Sequence, residues 1–283
     1  MNNLKYFITG FLLLGMFHLA EAQYRYGYFR VGVSVGATNY LGDLDDDFTF
    51  KFTKPGVGVV GSYRFNPFMT AKLNFFQGWI SGTDARSSDL ARNRRNLSFR
   101  SSITEASFTV SFDFIPSDRS YAYRPLMTPY VFGGIGIFSF NPQAKIGGQW
   151  IELQPLGTEG QFLPDPDNRY PDPYNLTQLT FPIGAGMRFN IGRRWDLEVE
   201  AGWRKTLTDY LDDVSNLYPD LEVLRAQNPL AAQLSDRIDL NSYPEGAAVV
   251  NGIRGDQTQT DWYIYTNVTI SFILDWVKCP TFK

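Results

Sequence analysis

The chain has 283 residues, of which 43% are hydrophobic and 16% aromatic, and its formal net charge is −3. Such a mild acidic balance does not point to nucleic-acid binding, and no nucleic-acid partner is expected. A single histidine, His18, and a single cysteine, Cys279, exclude an intramolecular disulfide and a Cys/His metal cluster.

The first element is a leader. Lys5 precedes an apolar stretch over residues 7–19, with Phe11, Leu12, Leu13, Leu14, Met16 and Phe17 at its centre, and Ala20-Glu21-Ala22 follows. A positive start, a short apolar run and a small-x-small site predict a secretory signal peptide over residues 1–22 and a mature domain over 23–283. On that reading His18 leaves with the leader, and Cys279 is too far from the cleavage site to be a lipoprotein anchor. Beyond the leader no stretch reaches the ~18 apolar residues of a membrane helix. The mean hydropathy of −0.23 suits a barrel whose polar interior dilutes an apolar exterior.

Period-2 alternation then predicts eight strands, over 28–38, 56–65, 68–79, 103–114, 129–140, 179–190, 194–205 and 262–272. In the first, Phe29, Val31, Val33, Val35 and Ala37 oppose Arg30, Gly32, Ser34, Gly36 and Thr38. In the seventh, Trp195, Leu197, Val199, Ala201 and Trp203 oppose Asp196, Glu198, Glu200, Gly202 and Arg204. Asn66-Pro67 and residues 190–193 are tight turns, and 115–128 is a medium link. The long loops cover about 39–55, 80–102, 141–178 and 206–261. Long and short connections alternate strictly. That layout is expected of an all-β, eight-stranded antiparallel transmembrane β-barrel with long extracellular loops and both termini in the periplasm. Within the last loop, Leu221, Leu224, Leu230 and Leu234 are spaced as in a helix and interrupted by Asn228-Pro229, which predicts short helices over the barrel mouth.

An eight-stranded barrel is just wide enough for its inward side chains to fill it. Strand parity sends Arg30, Arg64, Lys72, Glu105, Asp113, Arg188, Asp196, Glu198, Glu200 and Arg204 inward. Both signs occur at similar depths, so the charges are expected to pair as a structural plug, since an isolated buried charge is costly. A proton or ion path is the competing reading. Without histidine the common Ser/His and Asp/His arrangements are missing, so no catalytic residue, cofactor or metal is assigned. Asp43, Asp45, Asp46 and Asp47 are oxygen-rich, but they lack the spacing and glycine of an EF-hand loop and read as a solvated run, as does Asp212-Asp213.

Four segments carry a family resemblance. They are Tyr40, Gly42, Asp43 and Leu44; Arg95, Asn96, Leu97 and Phe99; Gln154, Pro155, Gly157, Thr158, Glu159 and Gly160; and Thr208, Asp209, Tyr210, Leu211, Asp212 and Asp213. In order and spacing they resemble the PorG-like outer-membrane barrels of the Bacteroidetes type IX secretion system. The resemblance implies a non-enzymatic component of that protein-export machine, which also supports gliding motility in some species. It further implies partners in a periplasmic ring, built from a lipoprotein and its partner, and in other secretion components. In the barrel the motif acids are expected to pair with Arg94, Arg95 and Arg204 and to lock the loops over the mouth. The partner surface would be residues 115–128 together with the tails 24–26 and 275–283. The alternatives are a small OmpW-like pore or carrier, a generic OmpA-like membrane-stabilising barrel, and a surface enzyme using carboxylates alone.

Overall fold

The computed structural model describes residues 27–44, 52–87, 89–117, 121–164, 168–238 and 252–274. The predicted leader over 1–22, residues 24–26, Asp45, Asp46, Asp47 and the tail 275–283 with Cys279 lie outside the described residues.

Eight long strands run antiparallel to their neighbours: β1 (Tyr28–Leu41), β2 (Lys54–Arg64), β3 (Met69–Thr83), β4 (Ser98–Asp113), β5 (Met127–Ile146), β7 (Thr177–Gly192), β8 (Trp195–Thr206) and β9 (Trp262–Leu274). β1 pairs with both β2 and β9, and β4 pairs with β5, so the sheet closes on itself without an edge. The short β6 (Gln149–Glu152) folds back on the upper end of β5 through Gly147 and Gly148, both at positive φ. Positive φ at both central residues is what a tight two-residue hairpin demands, and glycine meets it without strain. Between β2 and β3, the Asn66 carboxamide oxygen accepts from the Phe68 and Met69 amides, both at 2.8 Å, which closes the predicted tight turn. Phe29 pairs with Leu274, so the first and last described strands end side by side at the tight-turn end.

Every predicted strand forms, but β4 starts at Ser98 rather than Ile103 and β5 runs to Ile146 rather than Phe140. The reason is an inversion of polarity along the strands. Towards the tight turns the outward row is apolar, as at Val33, Leu73, Phe108 and Ile137, and the inward row is polar. Towards the loop end Phe99, Ile103, Phe138, Phe140 and Ala144 turn inward, while Arg100, Ser102, Ser139 and Gln143 face out. The lower part is therefore built for lipid outside and charge inside, and the upper part is built for water outside and an apolar core inside. A reading keyed to apolar-out alternation stops where the sign changes. Trp79, Trp203 and Trp262 mark the upper boundary, and Phe68, Phe112, Trp195 and Phe272 the lower.

The loops fold over the upper mouth. α1 (Leu90–Arg95) was not foreseen; Asp89 caps its start and Asn96, at φ 54°, ends it. α2 (Leu221–Gln227) and α3 (Pro229–Ser235) are the helices predicted around Asn228-Pro229. The Asn228 side chain accepts from the Leu230 and Ala231 amides, and Pro229 occupies the first position of α3, where its missing N–H costs nothing. Leu224, Ala231 and Ala232 pack on Leu163. A larger apolar cluster joins Tyr40, Leu44, Leu97, Phe99, Leu211 and Val214 to the upper barrel residues Ile103, Phe138 and Tyr263.

Candidate functional site: a plugged barrel and its cap

Two polar assemblies fill the molecule, one inside the barrel and one in the cap. All ten predicted interior charges point inward, and they pair. Glu198 is the hub of the lower assembly: its carboxylate accepts from Arg30 Nη1 at 2.6 Å, Arg188 Nε at 2.7 Å and Lys72 Nζ at 2.8 Å. Lys72 also bridges to Glu200, and the Tyr130 hydroxyl donates to Glu200 at 2.7 Å. Asp113 takes Arg64 and, at 2.7 Å, Arg188 Nη1. These ions are nearly sealed from water; Asp113 and Asp196 are 0% exposed. Burial of this depth is tolerable only because each charge faces an opposite one with hydrogen-bond geometry.

Arg124 completes this assembly from outside the ten predicted interior charges. It lies in the β4–β5 turn, in the stretch expected to face a partner, yet its guanidinium turns into the barrel. Nε meets Asp196 at 2.8 Å, Nη1 meets the Arg193 carbonyl at 2.9 Å, and Nη2 meets the Gly192 and Trp195 carbonyls at 2.8 and 2.9 Å. It acts as a stopper at the tight-turn end. A turn arginine has no periodicity to announce its direction.

Above the lower assembly, Arg204 lies 3.5 Å from Glu105, which also accepts from the Tyr263 hydroxyl at 2.6 Å. The guanidinium lies beside the stacked rings of Phe76 and Tyr265, 5.6 and 5.4 Å from their centres. Between the two levels remains a cavity of about 20 Å³ bordered by Lys72, Asn74, Glu200, Arg204 and Asn267. That is room for about one water molecule.

The cap draws the four family-like segments together. Arg95 grips Asp84 with a bidentate fork, Nε and Nη2 at 2.7 and 2.8 Å, and also donates to the carbonyls of Asp43 and Arg254. Arg254 Nη1 meets Glu159 at 2.7 Å. Glu159 in turn accepts from the Ser215 and Asn216 amides at 2.9 and 3.1 Å and from the Tyr210 hydroxyl at 3.2 Å. Asp213 accepts from Thr158 and Tyr174 at 2.5 and 2.7 Å. Asp43 accepts from the Asp256 amide at 3.0 Å, and Gln154 donates to the Tyr174 carbonyl at 3.2 Å. Gly157 and Gly160 take positive φ in the turn that brings Thr158 and Glu159 inward. Leu44, Leu97, Phe99 and Leu211 supply the apolar floor. The motif acids thus lock the loops as expected, but their partners differ. Glu159 pairs with Arg254 rather than with Arg94, Arg95 or Arg204; Arg95 pairs with Asp84, and Arg204 with Glu105.

One corner of the cap holds more acid than base. Asp212 and Asp213, expected in a solvated loop, are buried, because the cap folds down over them; the Tyr40 hydroxyl lies 2.7 Å from Asp212 and 2.9 Å from the equally buried Asp261. One phenol hydrogen cannot serve two carboxylates, so one carboxyl keeps its proton and donates to the phenol oxygen. Burial, and then the neighbouring acids, hold Asp212 and Asp261 well above the usual carboxylate range. Burial also pushes Asp209 up to about 8, the Ser215 hydroxyl opposing it and Asp43 and Glu159 adding to it. Asp213 rises to about 6 by burial, held there by Arg254 and its two hydroxyl donors. Among the described residues no group of three or more His, Cys, Asp or Glu is placed to hold a metal ion.

Partial similarity extends to several solved barrels. Neisserial surface protein A shares 7% identity, with 86% of this chain and 96% of that one covered and a TM-score of 0.41. Ail of Yersinia pestis, in complex with the heparin analogue sucrose octasulfate, shares 8% over 88% and 99%, with a TM-score of 0.38. The outer membrane protein OprG of Pseudomonas aeruginosa shares 7% over 89% and 97%, with a TM-score of 0.36. No curated protein matches the chain in sequence. Residues 5–150, by contrast, match a domain of unknown function, DUF6089, across β1 to β5 and the loop segments around Tyr40 and Arg95. That stretch is more than half of the 283 residues, and the chain belongs to the DUF6089 family.

Proposed function

We propose that the protein is a non-enzymatic structural barrel of the outer membrane that anchors or positions the periplasmic ring and translocon of a type IX secretion system. The observation that carries the structural half of this reading is the filled interior. The Glu198 network and the Arg124 stopper occupy the lower barrel, and the Arg95–Asp84 and Arg254–Glu159 pairs lock the upper mouth. Such a molecule is built to hold a shape rather than to pass a solute. The secretion half rests on the order of the four motif segments. In this arrangement the loop end faces the medium, both chain ends face the periplasm, and the ring lipoprotein and its partner meet the tight-turn side.

Crosslinking of the tagged protein in intact outer membranes, followed by pull-down and mass spectrometry, tests this reading. Recovery of a periplasmic ring lipoprotein and a large export channel is the expected outcome. Recovery of the barrel alone from well-crosslinked membranes would refute the secretion role. A small OmpW-like pore requires an open lumen, so steady single-channel conductance in a planar bilayer would favour that alternative instead.

A further inference from the structure

On the outer wall, strands β2, β3, β4, β5 and β7 frame a shallow depression of about 590 Å³. Its floor is Ala106, which pairs with Phe75 on one side and Ile137 on the other. Leu73, Phe108 and Leu179 extend its apolar walls. The depression lies within the belt that faces hydrocarbon, so its occupant there is apolar.

The outward row of β4 continues upward from Ala106 to Arg100. Ser102 pairs with Trp79 of the upper tryptophan boundary, so Arg100 stands one outward position above it, at the level of lipid headgroups. Its guanidinium lies 3.7 Å over the Trp150 ring, and Lys145 Nζ lies 5.9 Å from the same ring. Arg100 Nε and Nη2 both reach the Gln143 side-chain oxygen, at 3.1 and 3.0 Å, which fixes the plane of the guanidinium. Glu152, the acid on this face, accepts from Asn141 at 2.8 Å. Two cations are thus held around one indole, and among the described residues neither is in an ion pair. Arg100 and Ala106 are about 20 Å apart along the strand at ~3.3 Å per residue. At a barrel tilt of roughly 40° that becomes about 15 Å of depth, one leaflet of hydrocarbon.

We propose that this wall binds an anionic lipid of the loop-side leaflet, with its phosphate-bearing headgroup on Arg100 and Lys145 and an acyl chain laid over Ala106. Guanidinium and ammonium groups beside an indole match a phosphate in charge and in hydrogen-bond donors. The apolar depression one leaflet below matches the chain that such a headgroup carries.

The test uses the full-length protein in neutral detergent and native mass spectrometry. Bis-phosphorylated lipid A is the probe, and a zwitterionic phosphatidylcholine of similar chain length is the comparison. The wild-type protein is expected to retain lipid A in preference to phosphatidylcholine. R100Q/K145Q should weaken lipid A retention about tenfold or more, since each surface cation contributes on the order of a factor of five. A106F, which fills the depression without touching charge, should also weaken it. Heat-dependent gel mobility checks that each variant is folded, and if the double variant fails, K145Q on the exposed hairpin carries the same test with a roughly fivefold effect. Equal retention of the two lipids, or lipid A binding untouched by R100Q/K145Q or K145Q, would overturn the proposal. Binding untouched by A106F would remove the acyl-chain half of it.

Discussion

Glu198→Gln is the sharpest perturbation available in the barrel. The carboxylate takes three cationic donors within 2.6–2.8 Å, from Arg30, Lys72 and Arg188. The lower network sets Arg30, Arg64, Lys72, Arg124 and Arg188 against Asp113, Asp196, Glu198 and Glu200. That is five cations on four carboxylates, and the substitution leaves five on three. The amide also turns an N–H₂ donor toward cations that are themselves donors and have no acceptor to offer. Removing one partner of a buried ion pair costs about 3–5 kcal/mol, chiefly because the other charge is left uncompensated. The loss should therefore fall in that range rather than near the ~1 kcal/mol of a surface pair. Urea unfolding of the refolded barrel in lipid vesicles, followed by tryptophan fluorescence, measures it. Adding Lys72→Met returns the balance to four on three and should recover part of the loss. A destabilisation below about 1 kcal/mol, or a double variant whose two losses simply add, would refute the charge-balance argument.

Arg254→Gln leaves Glu159 and Asp213 buried without their cation, and the expected cost is again about 3–5 kcal/mol. Its signature is loop-specific: trypsin should cut the cap while the strands stay protected. Arg124→Gln removes the stopper, so the 121–126 turn should become protease-sensitive with the cap unchanged. The cap acids predict a pH response of known sign. Carboxyls whose folded pKa lies above the unfolded value near 3.9 bind protons more tightly in the folded state. Their contribution is therefore complete below about pH 4 and is lost as pH rises through the folded values, about 6 for Asp213 and about 8 for Asp209. Cap proteolysis with a protease of flat pH profile should accelerate between pH 6 and 9, and Asp209→Asn should flatten the upper part of that rise. A cap that tightens over the same range would contradict the reading that burial raises Asp209 and Asp213.

Much of the barrel was legible because strand parity is a local property. Once Val31, Val33 and Val35 face lipid, Arg30 and Ser34 have only the interior left, and the same logic placed Glu198 and Asp113 on other strands. The pair of helices around Asn228-Pro229 was legible for a similar reason, since cap, proline and leucine spacing lie within a few residues of one another. α1 escaped notice because its six residues, Leu90–Arg95, are too few to show a period.

By itself the sequence determined the alternation, the number of barrel-wall strands and the requirement that charges of both signs meet inside. Which charges meet was decided only by the closed barrel and its folded loops. Arg30 and Glu198 are 168 residues apart, Arg95 and the Arg254 carbonyl 159, and Tyr40 and Asp261 221. Parity and capping act between neighbours in the chain, whereas an ion pair acts between neighbours in space. The shear of the barrel and the path of each loop set that second kind of neighbourhood, and no local pattern encodes it.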